Sequence, residues 1–172
     1  MIDVRPATLR DAAGMGSVHV GVWRNAYAGI LPEAYLAGLS APRQAAYYQA
    51  GLLRGHPALV AEAAGRVVGF ATMSLCRGSA LGQSEIETLY VADDWRDQGA
   101  GRHLMQRAGG ALARQGAASA FLWVLSANPS RWFYQRLGGR RAAEGKTRVA
   151  GVTIPKTAFV WDPIDLLLPT GE

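Results

Sequence analysis

A glycine-containing segment gives the clearest indication of chemistry in this sequence. It reads Arg96-Asp97-Gln98-Gly99-Ala100-Gly101-Arg102, and it follows a stretch of strand character and leads into a stretch of helical character. Consecutive backbone N–H groups at the start of a helix can bind a phosphate, and glycine lets the anion approach the main chain. The segment therefore predicts a phosphate-binding loop, with a glycine turn that holds no ligand as the alternative.

Two other phosphate motifs and metal chemistry do not fit the sequence. Leu104 stands where the dinucleotide-binding fingerprint needs its third glycine, and Arg140 stands where a P-loop would need its first. The chain has one cysteine, so it can form neither an internal disulfide nor a cysteine-based zinc cluster. Its three histidines show no ligand spacing, and we expect no metal; they are His19, His56 and His103.

The elements around the glycine segment alternate between helices and strands. A strand over 2–5 and a helix over about 8–27 begin the chain, and short helices begin near 31 and 41. The later predicted elements are strands over 58–62, 66–75, 84–92, 120–125, 140–144 and 152–161, with helices over 99–116 and 128–137. This order predicts one α/β domain, residues 1–172, around a mixed sheet.

Composition limits the class of protein. With 172 residues, of which 49% are hydrophobic and 18% charged, the chain has enough apolar side chain for one core. Its longest unbroken apolar run, Ala120 to Leu125, is far below the roughly 20 residues of a membrane span. The N-terminus has no apolar run of signal-peptide length. We therefore expect a cytoplasmic protein that does not contact a membrane.

The net charge of +5 is unevenly distributed. Residues 96–148 hold 10 basic and 2 acidic side chains, whereas residues 1–95 hold 7 and 8. A basic segment of this kind indicates either an anionic partner, such as a nucleic acid or a phosphorylated small molecule, or a solvated basic face. The few aromatic residues among these arginines can be claimed by the core, so we do not expect a nucleic-acid partner.

Three motifs in order resemble those of the GNAT superfamily of acetyl-CoA-dependent N-acetyltransferases. They are Glu85-Ile86-Glu87-Thr88-Leu89-Tyr90-Val91, then Arg96 to Gly101, then Leu122 to Leu125 followed by Asn128 and Phe133-Tyr134. The resemblance covers most of the chain. It implies a single α/β domain with a central mixed, twisted sheet of about six to seven strands flanked by helices. It also implies that the central strands splay apart to form the acetyl-CoA cleft.

The same resemblance implies which residues bind the cofactor. The main-chain amides from Gln98 to Arg102 would hold the CoA pyrophosphate, and the backbone of Leu89 and Val91 would pair with pantetheine. The Leu89 amide would polarise the thioester carbonyl, an interaction of the oxyanion-hole type. The full set of implied cofactor-binding residues is Leu89, Tyr90, Val91, Arg96, Gln98, Gly99, Ala100, Gly101, Arg102, Asn128 and Tyr134.

The transfer would also need two proton movements. An ammonium substrate must lose a proton before its nitrogen attacks, and the departing thiolate leaves more readily when it is protonated. The resemblance implies Glu85 as general base, with Glu87 as the second candidate, and Tyr134 as general acid. Solvated strand carboxylates and a packing tyrosine are the alternatives.

The acceptor side carries fewer indications. Trp23 and Tyr27 lie in the region that lines the acceptor site in the family, although core packing would also explain these aromatic residues. Asn128 is equally well explained as a helix cap, because Asn-Pro is common at that position and it precedes Tyr134 by six residues, one fewer than the common family pattern. Gly139 stands where many members have phenylalanine.

The sequence thus predicts an N-acetyltransferase that moves an acetyl group from acetyl-CoA directly to a primary amine. The acceptor would be a small molecule or a peptide, and no feature of the sequence selects among amines. Members of the family are often dimers, so a homodimer is compatible with the resemblance, but nothing in the sequence identifies an interface and the oligomeric state stays open. The alternative is a non-catalytic acyl-CoA-binding regulatory module.

Overall fold

Seven strands form one mixed sheet in the computed structural model, which describes residues 1–170. The strands are β1 (Asp3–Pro6), β2 (Ala58–Ala63), β3 (Arg66–Leu75), β4 (Ser84–Val91), β5 (Ala120–Leu125), β6 (Arg140–Val149) and β7 (Val152–Trp161). Their order across the sheet is β1-β2-β3-β4-β5-β7-β6. The helices are α1 (Ala12–Ala26), α2 (Glu33–Gly38), α3 (Ala41–Leu53), α4 (Ala100–Arg114) and α5 (Arg131–Arg136). The predicted mixed α/β fold is confirmed; the last two residues of the predicted domain 1–172, Gly171 and Glu172, lie outside the described residues.

The predicted hairpin after residue 57 is present and explained by its turn. β2 and β3 pair antiparallel, and both turn residues have positive φ, 49° at Ala64 and 71° at Gly65. A two-residue turn of this handedness matches the twist of the flanking strands. β1 joins the outer side of β2 antiparallel, with Val4 opposite Ala61.

The chain divides into two compact units, and the first comprises Met1–Thr72 and Thr88–Met105. In it, α1 and α3 pack together over β2 and β3, and the core includes Met15, Val18, Tyr48, Val60 and Phe70. The two helices approach closely at Gly16, where a Cβ atom would lie only 2.5 Å from the Ala41 carbonyl oxygen. The absence of a side chain at Gly16 therefore sets the spacing of the helix pair.

The start of α1 is held by an acidic residue that also binds β1. Thr8 is the predicted N-cap, but the chain first makes a short 3₁₀ turn, Leu9–Asp11, and α1 begins at Ala12. The Asp11 Oδ2 atom accepts hydrogen bonds from Thr8 N at 2.7 Å and Thr8 Oγ1 at 3.0 Å. Arg5 of β1 donates to both oxygens of Asp11 at 2.9 Å and also to Glu62 of β2. The bond with Arg5 lowers the pKa of Asp11 to about 2.

The second unit comprises Met73–Glu87 and the chain from Gln106 onward. β5, predicted to be buried on both faces, lies inside the sheet, parallel to β4 and antiparallel to β7. The final hairpin turns at Ala150-Gly151, again with positive φ at both residues. β6 continues to Val149, well beyond the predicted end at 144, because β7 offers a partner along its whole length.

No helix between residues 1 and 170 has both the length and the apolar character needed to cross a bilayer.

Candidate active site

The glycine-containing segment forms a left-handed loop between β4 and α4 in the first unit. A 3₁₀ turn, Asp93–Trp95, follows β4, and α4 begins at Ala100. Within the loop, Asp97 has a φ of 59° and Gly99 a φ of 90°. Such backbone conformations next to a helix start create the concave array of N–H groups that binds anions. The helix adds its positive end and has no acidic residue in its first turn.

Asp93 holds this loop in place from its N-terminal side. Its Oδ1 atom accepts a bond from Arg96 Nε at 2.8 Å, and its Oδ2 atom accepts one from Asn25 Nδ2 on α1. The Gln98 side chain donates to the Asp94 carbonyl at 2.9 Å. The loop is therefore pre-formed, and part of the guanidinium of Arg96, an expected cofactor contact, is already engaged by a carboxylate.

The end of β4 supplies the three residues expected beside pantetheine. Leu89, Tyr90 and Val91 are all half-buried. A Cβ atom at Gly69 of β3 would lie 2.9 Å from the Tyr90 carbonyl oxygen and 3.3 Å from side-chain atoms of Val91 and Leu104. Gly69 thus allows β3, the end of β4 and the start of α4 to pack closely. Leu89 to Val91 belong to the same unit as the glycine loop.

Trp23 and Tyr27 belong to an aromatic cluster on one side of α1. Their rings make an edge contact with centroids 4.9 Å apart, and His19 stacks on Trp23 at 5.4 Å. Tyr27 is buried, and the Trp23 Nε1 atom is buried without a hydrogen-bond partner among the described residues. The two expected substrate contacts therefore lie together, and one of them has an unused donor.

His19 is the member of this cluster that sequence reasoning missed. Its Nδ1 atom lies 2.6 Å from the Tyr48 hydroxyl of α3, and its ring makes an edge contact with Tyr90 at 5.2 Å. Burial lowers the pKa of His19 to about 4, so the imidazole is neutral at pH 7. The residues His19, Trp23 and Tyr27 are four apart in sequence, the spacing that places side chains on one helix face.

Tyr90 lies at the inner side of the same cluster. Burial raises the pKa of its hydroxyl, and the nearby indole of Trp23 offsets part of that rise. The geometry between the two is nevertheless not that of a formed hydrogen bond. Tyr90 is therefore a neutral phenol in contact with Phe70, at 5.5 Å, and with His19.

Glu85 and Glu87 lie in the second unit, on the first half of β4. Glu85 is half-buried and pairs with Phe121 of β5, whereas Glu87 is exposed. Burial raises the pKa of Glu85, and the charge of Glu87 raises it further, while Lys156 of β7 lowers it. Of the two candidate bases, Glu85 is thus the one whose surroundings increase its affinity for a proton.

Tyr134 of α5 packs on the face of the second unit's strands opposite to the face that carries Glu85. It is buried on α5 against Phe159 and Trp161 of β7, with ring centroids 5.7 Å and 6.3 Å away. Phe159 pairs with Leu122, whereas Glu85 pairs with Phe121, the neighbouring residue of β5 that points to the opposite face. Glu85 and Tyr134 therefore lie on opposite faces of the sheet.

Two departures from the family pattern have structural explanations. A Cβ atom at Gly139 would lie 2.7 Å from the Trp161 ring and 2.8 Å from the Tyr134 carbonyl oxygen, so no larger residue fits there. The Asn128 Oδ1 atom accepts from Ser130 N at 2.9 Å, which is a local turn before α5. α5 itself begins at Arg131, three residues later than the predicted cap. A contact between Asn128 and the cofactor stays a prediction.

The comparisons with known proteins decide the family. The model of the Acetyltransferase (GNAT) family matches residues 23–139. The chain belongs to the GNAT acetyltransferase family. It is 32% identical to the uncharacterized N-acetyltransferase YuaI of Bacillus subtilis, over 97% of this chain and 96% of that protein. A probable N-acetyltransferase of Mycobacterium tuberculosis, Rv2775, is 27% identical over 92% of both chains.

Solved GNAT structures share the fold of this chain. The structure of yncA, a putative acetyltransferase from Salmonella typhimurium with its cofactor acetyl-CoA, has a TM-score of 0.71 at 21% identity. The match covers 100% of this chain and 97% of the yncA chain. The predicted GNAT membership and acetyltransferase class are therefore confirmed. Between residues 1 and 170, no group of three or more His, Cys, Asp or Glu side chains could hold a metal ion.

Proposed function

We propose that this GNAT protein transfers an acetyl group from acetyl-CoA directly to a primary amine of a small molecule or peptide. The observation that carries the proposal is the pre-formed anion loop at the start of α4, anchored by Asp93. Its shape and charge suit a pyrophosphate. The acetyl-CoA in the yncA structure, a protein of the same fold, supports the same cofactor here.

Acetyl-CoA supplies the activated acetyl group when it is bound. In this proposal the amides of Gln98, Gly99, Ala100, Gly101 and Arg102 hold the pyrophosphate, and the backbone of Leu89 and Val91 pairs with pantetheine. The Leu89 N–H donates to the thioester carbonyl oxygen and stabilises the negative charge that develops there. One such donor contributes about 2.7 to 4 kcal/mol in other enzymes.

The reaction then needs one base and one acid. Glu85 removes a proton from the ammonium group of the acceptor, because its raised pKa makes it a better proton acceptor than an ordinary carboxylate. The free amine nitrogen bonds to the thioester carbon as the carbon–sulfur bond breaks. The nitrogen, positively charged after the attack, loses its second proton to solvent. The departing thiolate takes a proton from the hydroxyl of Tyr134, and solvent restores that hydroxyl. The products are the acetylated amine, CoA and the proton that Glu85 returns to solvent.

Calorimetric titration with acetyl-CoA and with CoA tests the cofactor assignment, with NAD and ATP as controls. We expect saturable binding of the two CoA compounds alone. Gly99→Glu or Gly101→Glu should abolish it, because a carboxylate would occupy the anion loop. Equal binding by these variants and the parent protein would refute the loop assignment.

An amine screen by thiol release then tests catalysis. In a reactive pair, Tyr134→Phe and Glu85→Gln should each lower kcat by about 10²- to 10⁴-fold, with binding of acetyl-CoA retained. Binding of acetyl-CoA without turnover of any amine would instead favour the regulatory module. Cytoplasmic location stays a prediction of the sequence, and the oligomeric state stays open.

A further inference from the structure

Four aromatic side chains of the first unit, each from a different element, form a closed set of contacts. His19 of α1 contacts Tyr48 of α3 and Tyr90 of β4, with ring centroids 5.9 Å and 5.2 Å apart. Phe70 of β3 contacts the same two tyrosines at 4.8 Å and 5.5 Å. Three of these four contacts are edge contacts, an arrangement that aromatic rings favour. We call this group the aromatic quartet; because each ring touches two others, a shift of one ring disturbs two contacts.

A hydrogen bond fixes the imidazole of His19 within the quartet. Its Nδ1 atom lies 2.6 Å from the hydroxyl of Tyr48, a residue that is 4% exposed. Burial raises the pKa of that hydroxyl and lowers the pKa of His19, so the bond joins two neutral groups at pH 7. Trp23 stacks on the imidazole with an angle of 13° between the ring planes. The imidazole is thus held at one edge by α3 and on one face by its own helix.

Leu89 of β4 lies between two neighbours that are held in place. On one side, the Thr88 Oγ1 atom accepts a bond from Thr72 N at 3.1 Å and shares another with Thr72 Oγ1 at 2.7 Å. On the other side, Tyr90 is held by the quartet, in which His19 supplies the contact from the helices. Because peptide bonds are planar, the few dihedral angles that connect these two neighbours set the direction of the Leu89 N–H group.

We propose that His19, held by Tyr48, is a positioning residue for the Leu89 amide, because it fixes Tyr90 and thereby the direction of the neighbouring N–H group. The inference rests on the proposed function, in which this N–H donates to the thioester carbonyl oxygen. Such a donor is effective when it needs no rearrangement as charge develops on the oxygen. His19 acts through Tyr90 and not by contact with acetyl-CoA.

Infrared spectroscopy of acetyl-CoA that is isotopically labelled at the carbonyl carbon tests the proposal, because a hydrogen bond to the oxygen lowers the stretching frequency. With the parent protein in excess, we expect the labelled band to shift to lower frequency on binding. His19→Leu, which removes the imidazole, should lose most of this shift. Tyr48→Phe, which removes only the hydrogen bond to His19, should lose a smaller part. Tyr47→Phe is the matched control, because Tyr47 is 67% exposed, and it should keep the whole shift.

A double variant separates the hydrogen bond from the ring contacts. His19→Phe keeps a ring beside Tyr90 but cannot form a hydrogen bond with Tyr48. Because His19→Phe and Tyr48→Phe remove the same bond, the double variant should lose no more of the shift than either single variant. Additive losses would mean that the two residues act on the carbonyl independently, against the proposal.

Kinetics supplies a second measurement. In a reactive acceptor pair, His19→Leu should lower kcat by about 10- to 100-fold, with KM for acetyl-CoA nearly constant. The affinity for CoA, which has no thioester carbonyl, should also stay constant in calorimetry. A merely structural role would lower the melting temperature and leave the carbonyl frequency of bound acetyl-CoA unchanged.

A full infrared shift in His19→Leu, or an equal loss in Tyr47→Phe, would overturn the inference and leave the Leu89 assignment intact. A parent protein that binds acetyl-CoA without any shift would refute the Leu89 assignment, and the positioning role would fall with it. If His19→Leu does not fold, Tyr48→Phe decides, because a full shift in that variant would contradict the role of the hydrogen bond.

Discussion

At the scale of single residues, burial decides the chemistry of His19. The sequence offers it no partner, yet it lies against Trp23 and Tyr90 and shares a hydrogen bond with Tyr48, a residue of another helix. The spacing of His19 and Trp23 on one helix face was predictable, because it is local. The contact with Tyr48 was not, because it depends on how α1 and α3 pack.

The depressed pKa of His19 makes stability depend on pH. Well above the ordinary histidine pKa of about 6.5, neither the folded nor the unfolded chain protonates this residue. As the pH falls from there to about 4, the unfolded chain gains a proton that the folded chain refuses, so the free energy of unfolding decreases. After allowance for partial exposure, we expect a loss on the order of 1 to 2 kcal/mol.

Urea unfolding at intervals between pH 7 and pH 4 measures this loss. His19→Gln, which does not titrate, should show a flatter profile over the same range. A profile as steep as that of the parent protein would assign the pH dependence to another group.

Asp11 acts in a different pH window. Its pKa of about 2 lies below the ordinary value, so its ion pair with Arg5 contributes fully above about pH 4 and is lost as the pH falls toward 2. We expect Asp11→Asn to lower the free energy of unfolding at pH 7 by about 1 to 2 kcal/mol. Thermal melts at pH 7 and at about pH 2 check this, because the difference between the two proteins should become much smaller as the pH falls through the pKa of Asp11. A constant difference would show that packing, and not charge, is responsible.

At the scale of elements, the predictions succeeded where the determining residues are neighbours in sequence. The hairpin at Ala64-Gly65 and the apolar strand β5 are local patterns, and both are present. β6 was predicted too short because its second half is polar and contains Gly145, and only pairing with β7 makes it a strand. The pairing of Gly145 with Lys156 was not predictable either, because it joins two strands whose contact depends on the fold.

The contact between α1 and α3 gives a prediction with an internal control. A Cβ atom at Gly16 would lie 2.5 Å from the Ala41 carbonyl and 2.6 Å from the Ala45 nitrogen, both backbone atoms. Gly16→Ala should destabilise the protein by about 1 to 3 kcal/mol, although alanine favours helix. Gly21 of the same helix has no atom within 4 Å of such a Cβ, so Gly21→Ala should stabilise by about 0.5 to 1 kcal/mol.

Chemical denaturation of both variants measures the two effects. Stabilisation by both substitutions would mean that helix propensity outweighs the close contact at Gly16.

At the scale of the whole molecule, cofactor binding should appear as stability. A ligand that binds only the folded chain stabilises it by about 2.7 kcal/mol at 100 times its dissociation constant. We therefore expect acetyl-CoA to raise the melting temperature and NAD to leave it unchanged. Gly99→Glu is the control, because it should melt at the same temperature with and without acetyl-CoA. A shift retained in that variant would place the ligand elsewhere.

The ordered motifs predicted the family, since their order along the chain is legible without any structure. The contacts around the expected site residues could not be predicted from the order of motifs. The surroundings of the expected site residues depend on contacts such as those of His19 with Tyr48 and of Tyr134 with Phe159, which join residues whose proximity only the fold determines.

The outer strand of the sheet has a consequence for solubility. β6 ends the sheet order, so within residues 1–170 one side of its backbone has no strand to pair with. Such an edge can recruit a second chain into aggregates. It carries Arg140, Arg141, Lys146 and Arg148 against one acid, Glu144. Two copies brought edge to edge would confront like charges along their length. The arginines and the lysine of β6 thus disfavour pairing of this edge with the same edge of a second copy, the step by which fibres form.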